Sequence, residues 1–86
     1  MARAWVISPA YEAAISLLVQ CRHGAGLTQR DLAAQLGKPP SFVAKIEGRE
    51  RRLDIIEFIA IARALGIPAG ELMSTLDASL PVELAI

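Results

Sequence analysis

The chain has 86 residues, 53% of them hydrophobic, which fits one small domain. Its nine Lys and Arg residues balance nine Asp and Glu residues, which excludes a uniformly basic protein. No apolar run reaches the ~18 residues of a transmembrane helix, and Pro9 and Glu12 interrupt the N-terminal apolar stretch, so we expect neither a membrane partner nor a signal peptide. Because the single Cys21 can form no internal disulfide, a cytoplasmic protein fits best.

The charged residues are unevenly distributed along the chain. Residues 22–52 hold seven Lys and Arg residues against three Asp and Glu residues, whereas the rest of the chain holds two against six. Such segregation indicates a basic surface on one side of the domain, which is typical of a protein that binds nucleic acid. A chance cluster on a solvated face is the alternative explanation.

Five helices and no convincing strand are predicted. The first helix begins near Pro9, with Ser8 as its N-cap, and ends at Gly24–Gly26. Residues 1–8 precede it as an N-terminal arm. Within this arm, the segment AWVIS is either a short strand or part of an arm that is frayed or contacts a partner.

The second and third helices are short. The second covers about residues 28–36, with Thr28 as its N-cap, a carboxylate three residues later as a short capping box, and Gly37 as its end. The third covers about residues 40–47, and Pro40 is tolerated there because proline fits only at a helix start.

A loop rich in arginine, Gly48–Leu53, follows the third helix. The fourth helix begins at Leu53 or Asp54 and ends at Gly66, and the fifth begins at Pro68. The predicted partition of the chain is an arm at 1–8, a helix-turn-helix domain at 9–77 and an apolar C-terminal tail at 78–86.

Residues 27–54 therefore have the form of a DNA-binding helix-turn-helix: two short helices, a glycine turn between them and a basic loop after them. The segment from Arg22 to about Leu72 resembles the Xre/Cro family of helix-turn-helix regulators, which includes the lambda-type phage repressors. The resemblance implies an all-α, compact five-helix lambda-repressor-like domain whose partner is double-stranded DNA. The residues that carry it are Gly26-Leu27-Thr28-Gln29, Leu32-Ala33, Leu36-Gly37, Ser41-Phe42-Val43, Lys45-Ile46-Glu47, Ala62 and Leu65-Gly66.

The resemblance also implies roles for individual side chains. Gln29 would hold a phosphate and brace the recognition helix, while Ser41 would donate to a base or a phosphate. Lys45 is the best candidate for a base contact, to guanine acceptors. Phe42 would touch a thymine methyl group or a sugar. The groove-facing positions are Pro40, Ser41, Ala44 and Lys45, and the positions beside backbone phosphates are Lys38, Arg49, Arg51 and Arg52.

The chain departs from a related group of small bacterial regulators, whose motif PQSFVSKYExGERRLD stands here as PPSFVAKIEGRERRLD. Pro40 and Ala44 replace Gln and Ser, which removes hydrogen-bonding groups from the reading face. The glycine of the loop has moved, so either Arg49 adopts a left-handed conformation or the helix ends one residue earlier. Arg51 and Arg52 have Asp54 and Glu57 as alternative partners, and Glu47 is expected to bond to Arg30.

The leading hypothesis is a bacterial, cytoplasmic transcriptional regulator, associated with the nucleoid when bound to DNA. It would bind a palindromic operator as a homodimer, with the recognition helix in the major groove. The alternative is a protein-interaction module on the same fold, such as an antitoxin or an antiactivator-type adaptor. The predicted dimer interface consists of Leu72, Met73, Leu76, Leu80, Val82 and Leu84.

No catalytic motif, cofactor site or metal site is expected. His23 has no second histidine, cysteine pair or acidic cluster beside it in the sequence.

Overall fold

The computed structural model describes residues 8–85. Within these residues the backbone forms helices and loops only, and the all-α five-helix prediction is confirmed. Residues 1–7 of the predicted arm lie outside the described residues. The two alternatives for AWVIS therefore stay predictions. The helices are α1 (Pro9–Gly24), α2 (Gln29–Gln35), α3 (Ser41–Glu47), α4 (Ile55–Ala64) and α5 (Ala69–Ser79).

Side-chain caps set where three helices begin. Ser8 Oγ accepts the Tyr11 N–H at 3.2 Å, which confirms Ser8 as the N-cap of α1. Thr28 and Asp31 form the expected reciprocal capping box at α2, with distances of 3.0 and 2.9 Å. Asp54 and Glu57 form an equivalent capping box at the start of α4. Of the two predicted starts, Leu53 and Asp54, the N-cap is therefore Asp54.

The turn between α2 and α3 depends on Gly37. Its φ is +68°, a left-handed conformation that costs glycine little and most other residues about 1 kcal/mol or more. The chain therefore reverses directly after α2. Ala33 of α2 is fully buried in the common core.

One apolar core joins all five helices, which places α3 on a rigid support. Val43 and Ile46 anchor the inner face of α3, each only 2% exposed. The other core side chains are Ile15, Leu18, Leu32, Ala33, Phe58, Ile61, Ala62 and Leu72.

Two positions of the predicted dimer interface belong to this core. Leu72 and Leu76 are 2% and 9% exposed because α5 turns them toward the interior of the protomer. We therefore leave both out of any proposed interface. Met73 and Leu84 are exposed, Val82 is fully exposed and Leu80 is half-buried.

The helix α5 ends at Ser79, so the first two residues of the segment predicted as tail, 78–86, are helical. Between residues 8 and 85, no helix has both the length and the apolar character needed to cross a membrane.

Candidate nucleic-acid interface

The outer face of α3 is available to a ligand. Ser41, Lys45 and the N-cap residue Pro40 are exposed, and Ala44 is half-buried. The Lys45 ammonium group forms no hydrogen bond or ion pair with another described residue. Since Val43 and Ile46 fix the opposite face, the four predicted groove-facing positions share one side of α3. Their contacts with DNA remain predictions.

A buried ion pair ties the end of α3 to α1. Arg22 Nε donates to Glu47 Oε2 at 2.7 Å, and Arg22 Nη2 donates to Glu47 Oε1 at 3.0 Å. Arg22 Nη1 also donates to the Leu27 carbonyl at 2.9 Å, which fixes the start of the following turn. Such a two-pronged geometry is the strong form of an arginine–carboxylate pair. It holds the axis of α3 relative to α1.

The predicted partner of Glu47 was wrong. Arg30 is exposed on α2, whereas Glu47 bonds to Arg22 and to Gln29. Gln29 Nε2 donates to Glu47 Oε1 at 2.8 Å, so Gln29 does brace the recognition helix as expected. This bond occupies one amide N–H of Gln29, and the expected phosphate contact remains a prediction.

The surroundings of Glu47 keep its carboxyl ionised. Burial alone would raise the pKa of Glu47, but hydrogen bonds from Arg22 and Gln29 and the positive charge of Arg22 outweigh it and leave the pKa below its usual range. The resulting stabilisation is fully present above the ordinary glutamate pKa of about 4.3 and is lost as the pH falls from there through the lower folded-state value.

Phe42 lies in a cluster of charged side chains beside the start of α3. Lys38 Nζ lies 5.5 Å and the Arg51 guanidinium 4.8 Å from the centre of its ring. Glu57 receives two hydrogen bonds from Arg51, at 2.8 and 2.6 Å, so the alternative partner considered for Arg51 is present. The hydrogen bond from Arg51 is the main reason that the pKa of Glu57 lies below its usual range. Arg51 is thus held in one orientation.

The first turn of α1 holds the basic loop. Leu53 N–H donates to Tyr11 Oη at 3.0 Å, and the Arg52 guanidinium lies 4.9 Å from the centre of the Tyr11 ring. Arg49 Nε donates to Glu12 Oε1 at 2.6 Å. Sequence reasoning missed Tyr11 and Glu12, because about 40 residues separate each from its partner and no local pattern reports such a contact.

Arg49 adopts the left-handed conformation considered from the sequence, with φ of +61°. The preceding residue, Gly48, does not easily accept a side chain, because a Cβ there would lie 3.0 Å from the Ala44 carbonyl oxygen. Gly48 therefore allows the backbone to pass close to Ala44 at the end of α3. The left-handed, strained conformation is adopted by the next residue, Arg49.

The variants Arg49→Gly and Arg49→Ala isolate this strain, because both remove the contact with Glu12. We expect Arg49→Gly to be more stable than Arg49→Ala by about 1 kcal/mol, since only glycine adopts a left-handed conformation at little cost. Urea unfolding followed by circular dichroism measures the difference. Equal stability, or a more stable alanine variant, would mean that the loop relaxes to a negative φ.

The described residues contain no group of His, Cys, Asp and Glu side chains suited to hold a metal ion. Cys21 is half-buried and free. His23 lies at the end of α1, where its Nε2 is 3.2 Å from Arg22 Nη2.

The chain is similar to known proteins in sequence and in fold. A family model described as helix-turn-helix matches residues 18–72. A solved structure of an XRE-family like protein from Pseudomonas syringae pv. tomato str. DC3000 is 49% identical, with a TM-score of 0.79 over 84% of this chain and 88% of that one. No curated protein matches the chain.

A second solved structure shows the same fold at lower identity. It is the clp gene regulator ClgR from C. glutamicum, which is 21% identical, with a TM-score of 0.69 over 84% of this chain and 94% of that one. The family match and the 49% identical structure confirm the resemblance inferred from the sequence. The chain belongs to the Xre family of DNA-binding helix-turn-helix proteins, which are binding proteins and not enzymes.

Proposed function

We propose that this protein is a transcriptional regulator that binds a palindromic operator as a homodimer, with α3 in the major groove. The observation that carries the proposal is the geometry of α3. Its inner face is anchored by Val43 and Ile46, while Ser41 and Lys45 are exposed on its outer face. An α-helix with its side chains is about 10–12 Å in diameter, and the major groove, about 12 Å wide, admits it.

Base reading in this proposal depends on two side chains. Pro40 and Ala44 carry no hydrogen-bonding group, so Ser41 and Lys45 remain as donors on the outer face of α3. Lysine donates to the O6 and N7 acceptors of guanine. We therefore expect a half-site in which one guanine contact dominates the discrimination between sequences.

The residues around α3 supply the phosphate contacts. Lys38 precedes the helix, and Arg51 and Arg52 follow it in the loop that Tyr11 and Glu57 hold in place. Phosphate contacts of this kind fix the register of a protein on the duplex without reading sequence. Binding to chromosomal DNA places the protein in the bacterial cytoplasm, at the nucleoid when bound.

The ion pairs of the basic residues favour a second candidate, a protein-interaction module with weak DNA reading. Arg49 pairs with Glu12 and Arg51 with Glu57, so two of the cations expected beside phosphates already have carboxylate partners. A module of this kind would bind DNA weakly and without preference. The choice between the two functions is therefore a matter of affinity and specificity.

Fluorescence anisotropy distinguishes them. The protein is titrated against labelled DNA from upstream of its own gene, and against scrambled DNA of equal length, at about 150 mM salt, where non-specific affinity is low. The proposed regulator binds the upstream DNA with a Kd at least about 1000-fold lower than the scrambled DNA. Equal, weak binding to both would favour the interaction module.

We expect Arg52→Ala to weaken binding to every DNA about equally. Removal of one phosphate contact should reduce the slope of log K against log salt concentration by about 1. Titrations of operator and scrambled DNA at several salt concentrations measure the slope, with Arg63→Ala as a control that removes the same charge near the end of α4. A loss confined to the operator would instead assign Arg52 to base reading.

A further inference from the structure

Two arginines of the basic loop form ion pairs that face solvent in opposite ways. The Arg51 side chain is 41% exposed and that of its partner Glu57 is 19% exposed, so the guanidinium group is the outer member of this pair. The Arg49 side chain is 24% exposed and that of its partner Glu12 is 43% exposed, so here the carboxylate is the outer member. A phosphate that approaches the loop therefore meets a cation at Arg51 and an anion at Glu12.

The side chain of Arg49 has two acceptors within the domain. Its Nε donates to Glu12 Oε1 at 2.6 Å, and its Nη1 donates to the carbonyl oxygen of Glu47, the last residue of α3. The last carbonyl groups of a helix have no partner within the helix, and a basic side chain is favourable there. A contact between Arg49 and a phosphate would therefore require the loss of both acceptors.

The charge balance also opposes such an exchange. A carboxylate and a phosphate of the DNA backbone each carry one negative charge, so Arg49 gains no Coulomb energy when one replaces the other. Glu12, left without its cation, would repel the phosphate that had replaced it. The neutral pair displaces no counterion from DNA, and it therefore adds nothing to the sequence-independent affinity.

We propose that Glu12 limits the affinity of this protein for DNA, because it competes with the backbone phosphates for Arg49 and keeps this arginine out of the interface. The phosphate contacts are made by Lys38, Arg51 and Arg52. Arg49 instead links the first turn of α1 to the end of α3, and this role replaces the phosphate contact predicted for it from the sequence. The inference rests on the proposed function only for the orientation of the basic loop toward DNA.

Glu50 offers a matched control for the charge of Glu12. It follows Arg49 in the same loop, is exposed, and forms no ion pair with another residue in the range 8–85. Replacement of either glutamate by glutamine removes one negative charge, which strengthens DNA binding slightly through the overall field. Only Glu12→Gln also releases an arginine, so the difference between the two variants isolates that release.

Anisotropy titrations of wild type, Glu12→Gln and Glu50→Gln against scrambled duplex DNA at several salt concentrations test the proposal. We expect Glu12→Gln to bind about fivefold more tightly than wild type at about 150 mM salt, with a slope of log K against log salt concentration steeper by about 0.9, since one further phosphate contact forms. Glu50→Gln should change the affinity less than about twofold and leave the slope unchanged. Addition of Arg49→Ala to Glu12→Gln should remove the gain. Thermal melts establish that each variant is folded.

Three results would overturn the proposal: equal slopes for Glu12→Gln and Glu50→Gln, a gain that persists after Arg49→Ala, or no measurable DNA binding by either glutamine variant. Because the readout uses scrambled DNA, it is independent of operator specificity. A steeper slope for Glu12→Gln, with equal affinity of wild type for operator and scrambled DNA, rejects only the regulator. Specific operator binding by wild type, with an unchanged slope for Glu12→Gln, rejects only the role of Glu12.

Discussion

Replacement of Lys45 by alanine is expected to weaken binding to the operator by about 1–3 kcal/mol and to reduce discrimination against substituted half-sites. Lys45 projects from the outer face of α3, and its ammonium group is not engaged by any described neighbour. Since Pro40 and Ala44 offer no donor, the loss of Lys45 leaves Ser41 as the remaining donor on that face. A loss of this size raises the dissociation constant about 5- to 160-fold, so part of the roughly 1000-fold preference for the operator should remain.

The measurement is an anisotropy titration of wild type and Lys45→Ala against the operator and against operators with single base changes. Arg63→Ala is the matched control, because it removes one positive charge from an exposed position on α4. Its effect reports how much of the loss is due to net charge alone. If Lys45→Ala bound the operator as tightly as wild type, α3 would not read bases through Lys45.

Local signals in the sequence predicted most of the fold. The caps at Ser8, Thr28 and Asp54 depend on residues three positions apart, and the turn at Gly37 depends on one residue. Because each of these features is local, its chemistry is visible without knowledge of the tertiary structure. The predicted helix boundaries agree with the observed ones to within one or two residues.

The long-range hydrogen bonds that position the candidate interface could not be predicted from local sequence signals. Arg22 bonds to Glu47 across 25 residues, and Tyr11 bonds to Leu53 across 42 residues. The sequence analysis named Arg30 as the partner of Glu47, whereas the packing of α1 against α3 brings Arg22 to that carboxylate. Arg30 is exposed on α2 and takes no part in this ion pair.

The apolar positions of α5 show the same limit. Leu72, Met73 and Leu76 fall on one helical stripe in the sequence, yet the first and third are core residues and Met73 is exposed. Helical periodicity predicts that a face is apolar, but it does not predict whether that face is covered by the same chain or by a partner. The exposure of Ile55 and Ile56 on α4 likewise became visible only once the core was known.

Replacement of Arg22 by methionine is expected to destabilise the fold by about 3–5 kcal/mol. The Arg22 and Glu47 side chains are only 9% and 11% exposed, so loss of the arginine leaves a desolvated carboxylate with Gln29 as its remaining hydrogen-bond partner. The Leu27 carbonyl also loses its donor. For a domain of this size such a loss is a large part of the total free energy of unfolding.

Urea unfolding of Arg22→Met, Glu47→Gln and the double variant at neutral pH measures the coupling. Arg51→Met is the matched control, because it breaks an ion pair whose arginine is 41% exposed, and pairs of that kind contribute about 0–1 kcal/mol. The double variant should be less destabilised than the two single variants combined, since neither charge is then left without its partner. Because the pair also fixes the end of α3, Glu47→Gln should weaken operator binding under conditions in which it is fully folded. A loss in Arg22→Met no larger than in Arg51→Met would mean that core packing, and not this ion pair, holds the recognition helix against α1.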